Sequence, residues 1–274
     1  MDCRCDLPVK RWPEQGASDC DAVAEEAAVA LSYNGVSHVV MMMTPADLED
    51  FAFGFSLSEG VVEQVSQIHG TEVLRHDTGI ELAVTISSER FAMLRQVRRN
   101  LVGRTGCGLC GAESLDQAIR PVPRVGDSVR VAPAAIERAL TALDTHQPLQ
   151  GTTGAAHGAA WCDVSGDIVC TREDVGRHIA LDKLIGVLAR SVSPCDGFAL
   201  VSSRASYEMV SKAARGGVQL LVAVSAPTTL AVQLADQAGL TLVGFARPGR
   251  FSVYSAAHRV MSRGREWDDT SLRI

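Results

Sequence analysis

A chain of 274 residues, 46% hydrophobic and 21% charged, can bury a full core as one large domain or two smaller ones. Its net charge of −6 argues against a broad nucleic-acid-binding surface, and apolar runs such as 36–43 and 219–224 are far too short to span a bilayer. The opening Met1-Asp2-Cys3-Arg4-Cys5-Asp6 lacks the apolar run of a signal peptide, so a cytoplasmic location is expected.

Residues 1–22 are polar and are expected to form a disordered leader. Ala27 to Leu31 and Val36 to Met42 flank Asn34-Gly35, the dipeptide best suited to a tight hairpin. Thr44-Pro45-Ala46-Asp47 predicts a helix start, with Thr44 as hydroxyl cap and proline in the first turn. That helix turns Leu48, Phe51, Ala52 and Phe55 inward and stops near Gly60. Two further strands meet at Asp77-Thr78-Gly79. A helix from about Glu89 to Asn100 then carries Arg90, Arg95, Arg98 and Arg99 on its polar side. Residues 23–120 thus form a small α+β unit that ends in a Cys-x-x-Cys loop.

Pro121, Pro123 and Pro133 mark a connector into a short helix over 134–143. Beyond it, 159–164 and 167–171 form a hairpin around Ser165-Gly166, and Leu181, Leu184, Ile185 and Leu188 recur at helical spacing. Continuous apolar strands at 198–202, 219–224 and 241–245 alternate with helices at 206–215 and 229–237. This α/β pattern predicts a sheet covered on both faces over 121–262, followed by a polar tail at 263–274. Among the eight cysteines, Cys162 and Cys170 fall in apolar strand segments and read as buried small hydrophobes. Cys3, Cys5 and Cys20 lie in the leader without a histidine to complete a metal set.

Three features carry chemistry. In the loop Gly103-Arg104-Thr105-Gly106-Cys107-Gly108-Leu109-Cys110-Gly111, two thiols sit among four glycines beside a cation that favours the thiolate. A redox pair, half a zinc site and a sulfur carrier all fit this loop. The turns after the apolar strands hold Ser203, Arg204 and Ser206, then Ser225 and Thr228, then Phe245-Ala246-Arg247-Pro248-Gly249-Arg250. Hydroxyls, arginines and helix-start amides gathered at one sheet edge suit phosphates, whereas each serine or threonine singly could equally be a cap. Glu173-Asp174-Val175-Gly176-Arg177-His178 offers Arg177 and His178 to an anion, or else an ion network of Glu173, Asp174, Arg177 and Lys183 bracing the helix. His157 stands in a glycine-rich strand approach. Cys107, Cys110, His157 and His178 could in principle hold zinc, but a loop with four glycines makes a poor cage.

Taken in order, these motifs resemble the formate dehydrogenase accessory sulfurtransferases. The matching stretches run from Thr44-Pro45-Ala46-Asp47-Leu48-Glu49 through Cys107-Gly108-Leu109-Cys110-Gly111, His157-Gly158-Ala159, 173–178 with Asp182-Lys183, and 203–210 with Lys212. Ser225-Ala226-Pro227-Thr228 and Gly244-Phe245 to Arg250 complete the series. Ile179 departs from it, since the family usually carries asparagine there. The resemblance implies a cytidine-deaminase-like three-layer α-β-α domain behind the small α+β domain, without the deaminase zinc signature. It implies a cytoplasmic homodimer that takes sulfur from a cysteine desulfurase as a persulfide on Cys107, with Cys110 assisting. That sulfur would pass to the molybdenum of bis-molybdopterin guanine dinucleotide, bound as substrate with Phe245 to Arg250 contributing, before the cofactor enters formate dehydrogenase. No permanently bound metal, nucleic acid or membrane partner is expected. Two alternatives stand beside the sulfurtransferase: a cofactor-binding chaperone that passes no sulfur, and a dithiol oxidoreductase.

Overall fold

The computed structural model describes residues 3–12, 19–102, 121–191 and 196–261. The glycine-cysteine loop, with Cys107 and Cys110, and the tail at 263–274 lie outside the described residues.

The leader is not structureless where it is described: Arg4–Val9 (β1) and Asp19–Ala24 (β2) pair antiparallel, from Arg4 opposite Ala24 to Val9 opposite Asp19. Five of the six β1 residues are exposed, so no buried face announces the hairpin in the sequence. β2 instead rests on a short helix of the large unit.

The small unit is a four-stranded sheet in the order β4-β3-β6-β5, built from Ala27–Tyr33 (β3), Val36–Met43 (β4), Ile68–His76 (β5) and Gly79–Ile86 (β6). Asn34 and Gly35 both take positive φ, 48° and 78°, as the predicted hairpin turn requires. Val29, Leu31 and Tyr33 on β3 and Ile80, Leu82, Val84 and Ile86 on β6 alternate onto one face. Helix α1 (Leu48–Ser58) covers it with Leu48, Phe51, Ala52 and Phe55. Thr44 does not cap this helix. The cap position is Asp47, at φ 51° with no side-chain cap bond. Helix α2 (Ser88–Val102) departs from expectation at Arg90. That side chain is buried, donating from Nε to Val61 O at 2.9 Å and from Nη2 to Gly60 O at 2.7 Å.

The large unit is a six-stranded sheet in the order β12-β11-β10-β9-β7-β8. Its strands are His157–Asp163 (β7), Ile168–Asp174 (β8), Gly197–Val201 (β9), Leu220–Ala223 (β10), Thr241–Arg247 (β11) and Arg250–Ser255 (β12). The last was missed in the sequence: the turn at 248–249 joins β11 to β12 as a β-hairpin. β9, β10 and β11 run parallel, and both faces are covered, as continuous apolar strands demand. Ala199, Val201, Leu221 and Ala223 meet three helices, α5 (Arg177–Arg190), α6 (Tyr207–Arg215) and α7 (Thr229–Ala238). Phe198, Leu200, Leu220 and Val222 on the other face meet α3 (Pro133–Ala142). A 3-10 turn at Leu143–His146 leads from α3 to α4 (Pro148–Thr153), the helix under β2. Three layers therefore stand as expected. No helix among the described residues is long and apolar enough to cross a membrane.

The units join where α1 packs on α5. A Cβ on Gly54 would fall on the Asp182 carbonyl, and one on Gly186 on the Asp50 carbonyl, so the backbones themselves touch. Ion pairs bracket the crossing. Thr44 N–H and Lys183 Nζ both donate to Asp174 Oδ2, at 3.0 and 2.7 Å, while Val175 N–H donates to Thr44 Oγ1 at 3.2 Å. At the far end of α1, Lys212 Nζ reaches Asp182 Oδ2 at 2.9 Å and Glu59 Oε1 at 2.7 Å. Burial favours neutral forms of both partners. On Lys212 the two carboxylates outweigh burial and hold the ammonium above its ordinary value. On Asp182 burial outweighs Lys212 and pulls the carboxyl upward. Asp182 accepts three short bonds and Lys212 faces two anions, contacts that favour the charged form of each against burial. Arg172 and Arg190 clamp Asp50 from either side at 2.8 and 2.6 Å. Ile179, the departure from the family pattern, is buried in the small unit's core and carries no hydrogen bond.

Candidate functional site

The strand directions bring the predicted turns together. β9, β10 and β11 are parallel, and β8 runs with them because it and β9 are both antiparallel to β7. One sheet edge therefore gathers the start of β7 and the loops leaving β8, β9, β10 and β11. Backbone bonds stitch this rim in a row. Ser202 N–H donates to Gly158 O at 3.0 Å, Ser225 N–H to Ser203 O at 3.3 Å, and Phe245 N–H to Ser225 O at 3.0 Å. The N-termini of α5, α6 and α7 open at the same edge and add three partial positive charges to it.

The individual side chains divide. Thr228 is a cap, accepting from Ala231 N–H at 3.3 Å. Ser203 is buried and donates to the Arg204 carbonyl at 3.1 Å, away from any helix start. Ser206, at the head of α6, makes no cap bond, and its Oγ is buried without a partner among the described residues. Arg177 Nε is in the same state. Two buried polar atoms without a partner among the described residues stand at this rim, a donor set that suits an anion. Arg204 and Arg250 are exposed, as is Ser225 in part. Arg247 is exposed as well, and it donates to the carbonyls of Val224 and Ala246. Ala246 itself belongs to the core. Phe245 holds a left-handed φ of 51° and is 52% exposed, a strained placement for a bulky residue that offers a flat apolar face to a ligand. Pro248 and Gly249 (φ 83°) make the turn beneath it.

The basic cluster is only partly a brace. Asp174 and Lys183 do pair, but Arg177 is not in that network. Glu173 accepts from Leu149 N–H at 2.9 Å and Gln150 N–H at 2.8 Å, anchoring α4. His178 Nε2 lies 2.8 Å from Glu208 Oε2. Burial pushes His157 below its ordinary 6.5, and Arg177 adds to the shift. Burial likewise lowers His178, against the pull of Glu208 and with the push of Arg177. Both rings bind a proton less readily folded than unfolded, so their contribution to stability is whole above pH 6.5 and drains away as pH falls below it. The thermal midpoint should drop faster between pH 6.5 and 5.5 in the parent than in a His157→Gln/His178→Gln variant. Equal slopes would contradict it.

His157, Ala246, Arg247 and Pro248 line one cleft of about 780 Å³, together with Ser202, Asp144 and Gln147. Asp144 and Gln147 were missed, because the turn at 143–147 carries no motif. Cys162 is buried with its thiol pushed far up, as a small hydrophobe should be.

The profile of the FdhD/NarQ family matches residues 24–261. The chain belongs to the FdhD/NarQ family. Among the relatives, the sulfur carrier protein FdhD of Bordetella petrii is 49% identical over 248 residues, covering 90% of this chain and 89% of the relative. That of Xanthomonas campestris pv. campestris strain B100 is 53% identical over 241 residues, covering 88% and 86%. A crystal structure from Desulfotalea psychrophila, provisionally described as a formate dehydrogenase accessory protein, superposes with a TM-score of 0.74 at 24% identity. It covers 94% of this chain and 98% of that one, and at that identity the likeness is one of fold. The FdhD/NarQ match begins at residue 24, so β1 and most of β2 stand outside it.

Proposed function

We propose that this chain is a sulfur carrier that serves formate dehydrogenase. The observation that carries the reading is the rim: three helix N-termini converge at one sheet edge with Arg177 Nε and Ser206 Oγ, which have no partner among the described residues. The sulfur-carrier relatives, alike along nine-tenths of the chain, supply the chemistry to go with it.

The Cys107 thiolate attacks the outer sulfur of a persulfide on a cysteine desulfurase. A Cys107 persulfide forms and the desulfurase thiolate leaves, so no electrons are gained or lost overall. Attack of Cys110 on the Cys107 sulfur then releases hydrosulfide and closes a disulfide, which supplies the two electrons that reduce sulfane sulfur. The acceptor is the molybdenum of bis-molybdopterin guanine dinucleotide, a polyanion suited to the rim, on a cytidine-deaminase-like scaffold that acts in the cytoplasm as a homodimer. At the rim Arg204 and Arg250 meet phosphate from solvent, Arg177 and Ser206 from within, and Phe245 offers a ring face.

Expression in cells that lack their own sulfur carrier tests this. The parent chain should restore formate dehydrogenase activity and Cys107→Ala should not. Restoration by a Cys107→Ala/Cys110→Ala variant would instead favour a chaperone that only holds the cofactor.

A further inference from the structure

Helix α2 ends at Val102, and Cys107 follows it by five residues. Five residues span at most about 18 Å however they fold, so sulfur handed to Cys107 has to arrive close to the end of this helix. The chain comes back at Pro121 on the same side of the molecule. Arg215 Nη2 donates to the Pro121 carbonyl at 2.7 Å, and a Cβ on Gly60 would stand 3.3 Å from Arg215 Nη1. Gly60 is the residue whose carbonyl α2 itself holds through Arg90. The side so framed is basic in an acidic protein: residues 88–124 carry seven arginines against three acids, while the whole chain has a net charge of −6. Arg95 and Arg124 are exposed and Arg215 is partly so, whereas Glu63 on this side is already held by Arg90 at 2.7 Å. Arg95 lies over the Phe91 ring, 5.9 Å from its centroid, which fixes a positive charge on the helix surface, and arginines recur one turn on at 98 and 99. Arginines in the last turns of a helix also offset its dipole, but that use does not account for Arg124, which lies in no helix.

We infer that the exposed side of α2 around Arg95 is where the sulfur donor docks, and that the donor is acidic around its persulfide. A basic collar at the root of the Cys107 segment draws an acidic surface from a distance and repels basic ones. Such attraction acts on the rate of encounter more than on the strength of the complex, and salt weakens it. Arg215 closes α6, whose N-terminus opens at the rim, so the collar lies at the other edge of the sheet and leaves the phosphate site clear. The inference rests on the reading of the chain as a sulfur carrier, and it adds no covalent step to the transfer given above.

The rate at which the full chain takes labelled sulfur from a purified cysteine desulfurase and cysteine, followed at several salt concentrations, tests it. Arg95→Glu should load about fivefold more slowly than the parent at low salt, a gap that closes as salt screens the charges. Arg95→Lys keeps the charge and should load within about twofold of the parent. Arg138→Glu, at an exposed position on α3, should load as the parent does. Glutathione persulfide, a donor without a surface to dock, should load the parent and Arg95→Glu alike, which also shows that the variant is folded. Parental loading of Arg95→Glu by the desulfurase overturns the inference. So does an equal slowing of that variant with glutathione persulfide, or a slowing of Arg138→Glu to the same extent. A parent loaded by neither donor rejects the carrier reading and this inference with it. A parent that loads beside an indifferent Arg95→Glu rejects this inference alone.

Discussion

Gly54→Val is expected to cost about 3 kcal/mol of stability by forcing the small unit off the large one. The glycine sits in α1 against α5, and its missing side chain is occupied by the backbone carbonyl of Asp182. Side-chain overpacking is often relieved by a rotamer change, but a carbonyl inside a helix cannot swing aside. The helices must separate, and separation strains the Asp174–Lys183 and Asp182–Lys212 pairs at either end. Gly186→Val should cost as much for the mirror reason, and the double variant little more than either, since one separation relieves both clashes. Gly151→Ala in α4 is the control: no atom stands within 4 Å of its Cβ, and unfolding should occur at an unchanged denaturant midpoint or slightly above it. Chemical denaturation of the four proteins reads the comparison directly. Additive losses in the double variant would mean that the two glycines do not share one contact.

Lys183→Met should be as damaging for an electrostatic reason. Both Lys183 and Asp174 are wholly buried, and the substitution strands a carboxylate that also accepts from Thr44 and Gly176 N–H. Stranding one member of such a pair typically costs about 3–5 kcal/mol. Burial already pushes the Asp174 carboxyl up, against the pull of Lys183. With the lysine gone the folded state binds a proton more tightly still, while the unfolded aspartate remains near its ordinary value. At Asp174 the folded variant then holds more proton than the unfolded chain, so its loss relative to the parent should shrink as pH falls from 7 towards 5. Removing both partners as Asp174→Leu/Lys183→Met would not restore the parent, because the Thr44 and Gly176 amides and the Thr44 carbonyl lose their partners too. A Lys183→Met loss that is independent of pH would place the cost in packing and not in the stranded charge.

Much of this architecture could be read from local signals. Asn34-Gly35 admitted one turn type, the Leu181–Leu188 spacing one helix face, and the unbroken apolar runs at 198–201 and 220–223 a sheet covered twice. The rim was legible for a topological reason, since parallel strands must all end on one side. What escaped depends on distant partners. Thr44 has the look of a helix cap in its own neighbourhood, yet it is committed to Asp174, Val175 and Lys183, more than a hundred residues away. Arg90 was placed on a polar face because its periodicity is polar, while the carbonyls of Gly60 and Val61 draw it inside. The β1–β2 hairpin has no hydrophobic alternation because what it rests on is another element's surface. Gln147 and Asp144 belong to a turn without a motif, and only the packing of that turn over Gly158 makes them conspicuous.

Peptide mapping by mass spectrometry, after incubation with a cysteine desulfurase and cysteine, tests the central claim most directly. The account predicts a gain of one sulfur atom confined to the peptide that carries Cys107. Adding bis-molybdopterin guanine dinucleotide should then remove that sulfur and leave Cys107 joined to Cys110. Sulfur found on another cysteine, or a Cys107 peptide unchanged in mass while the desulfurase turns over, would contradict it.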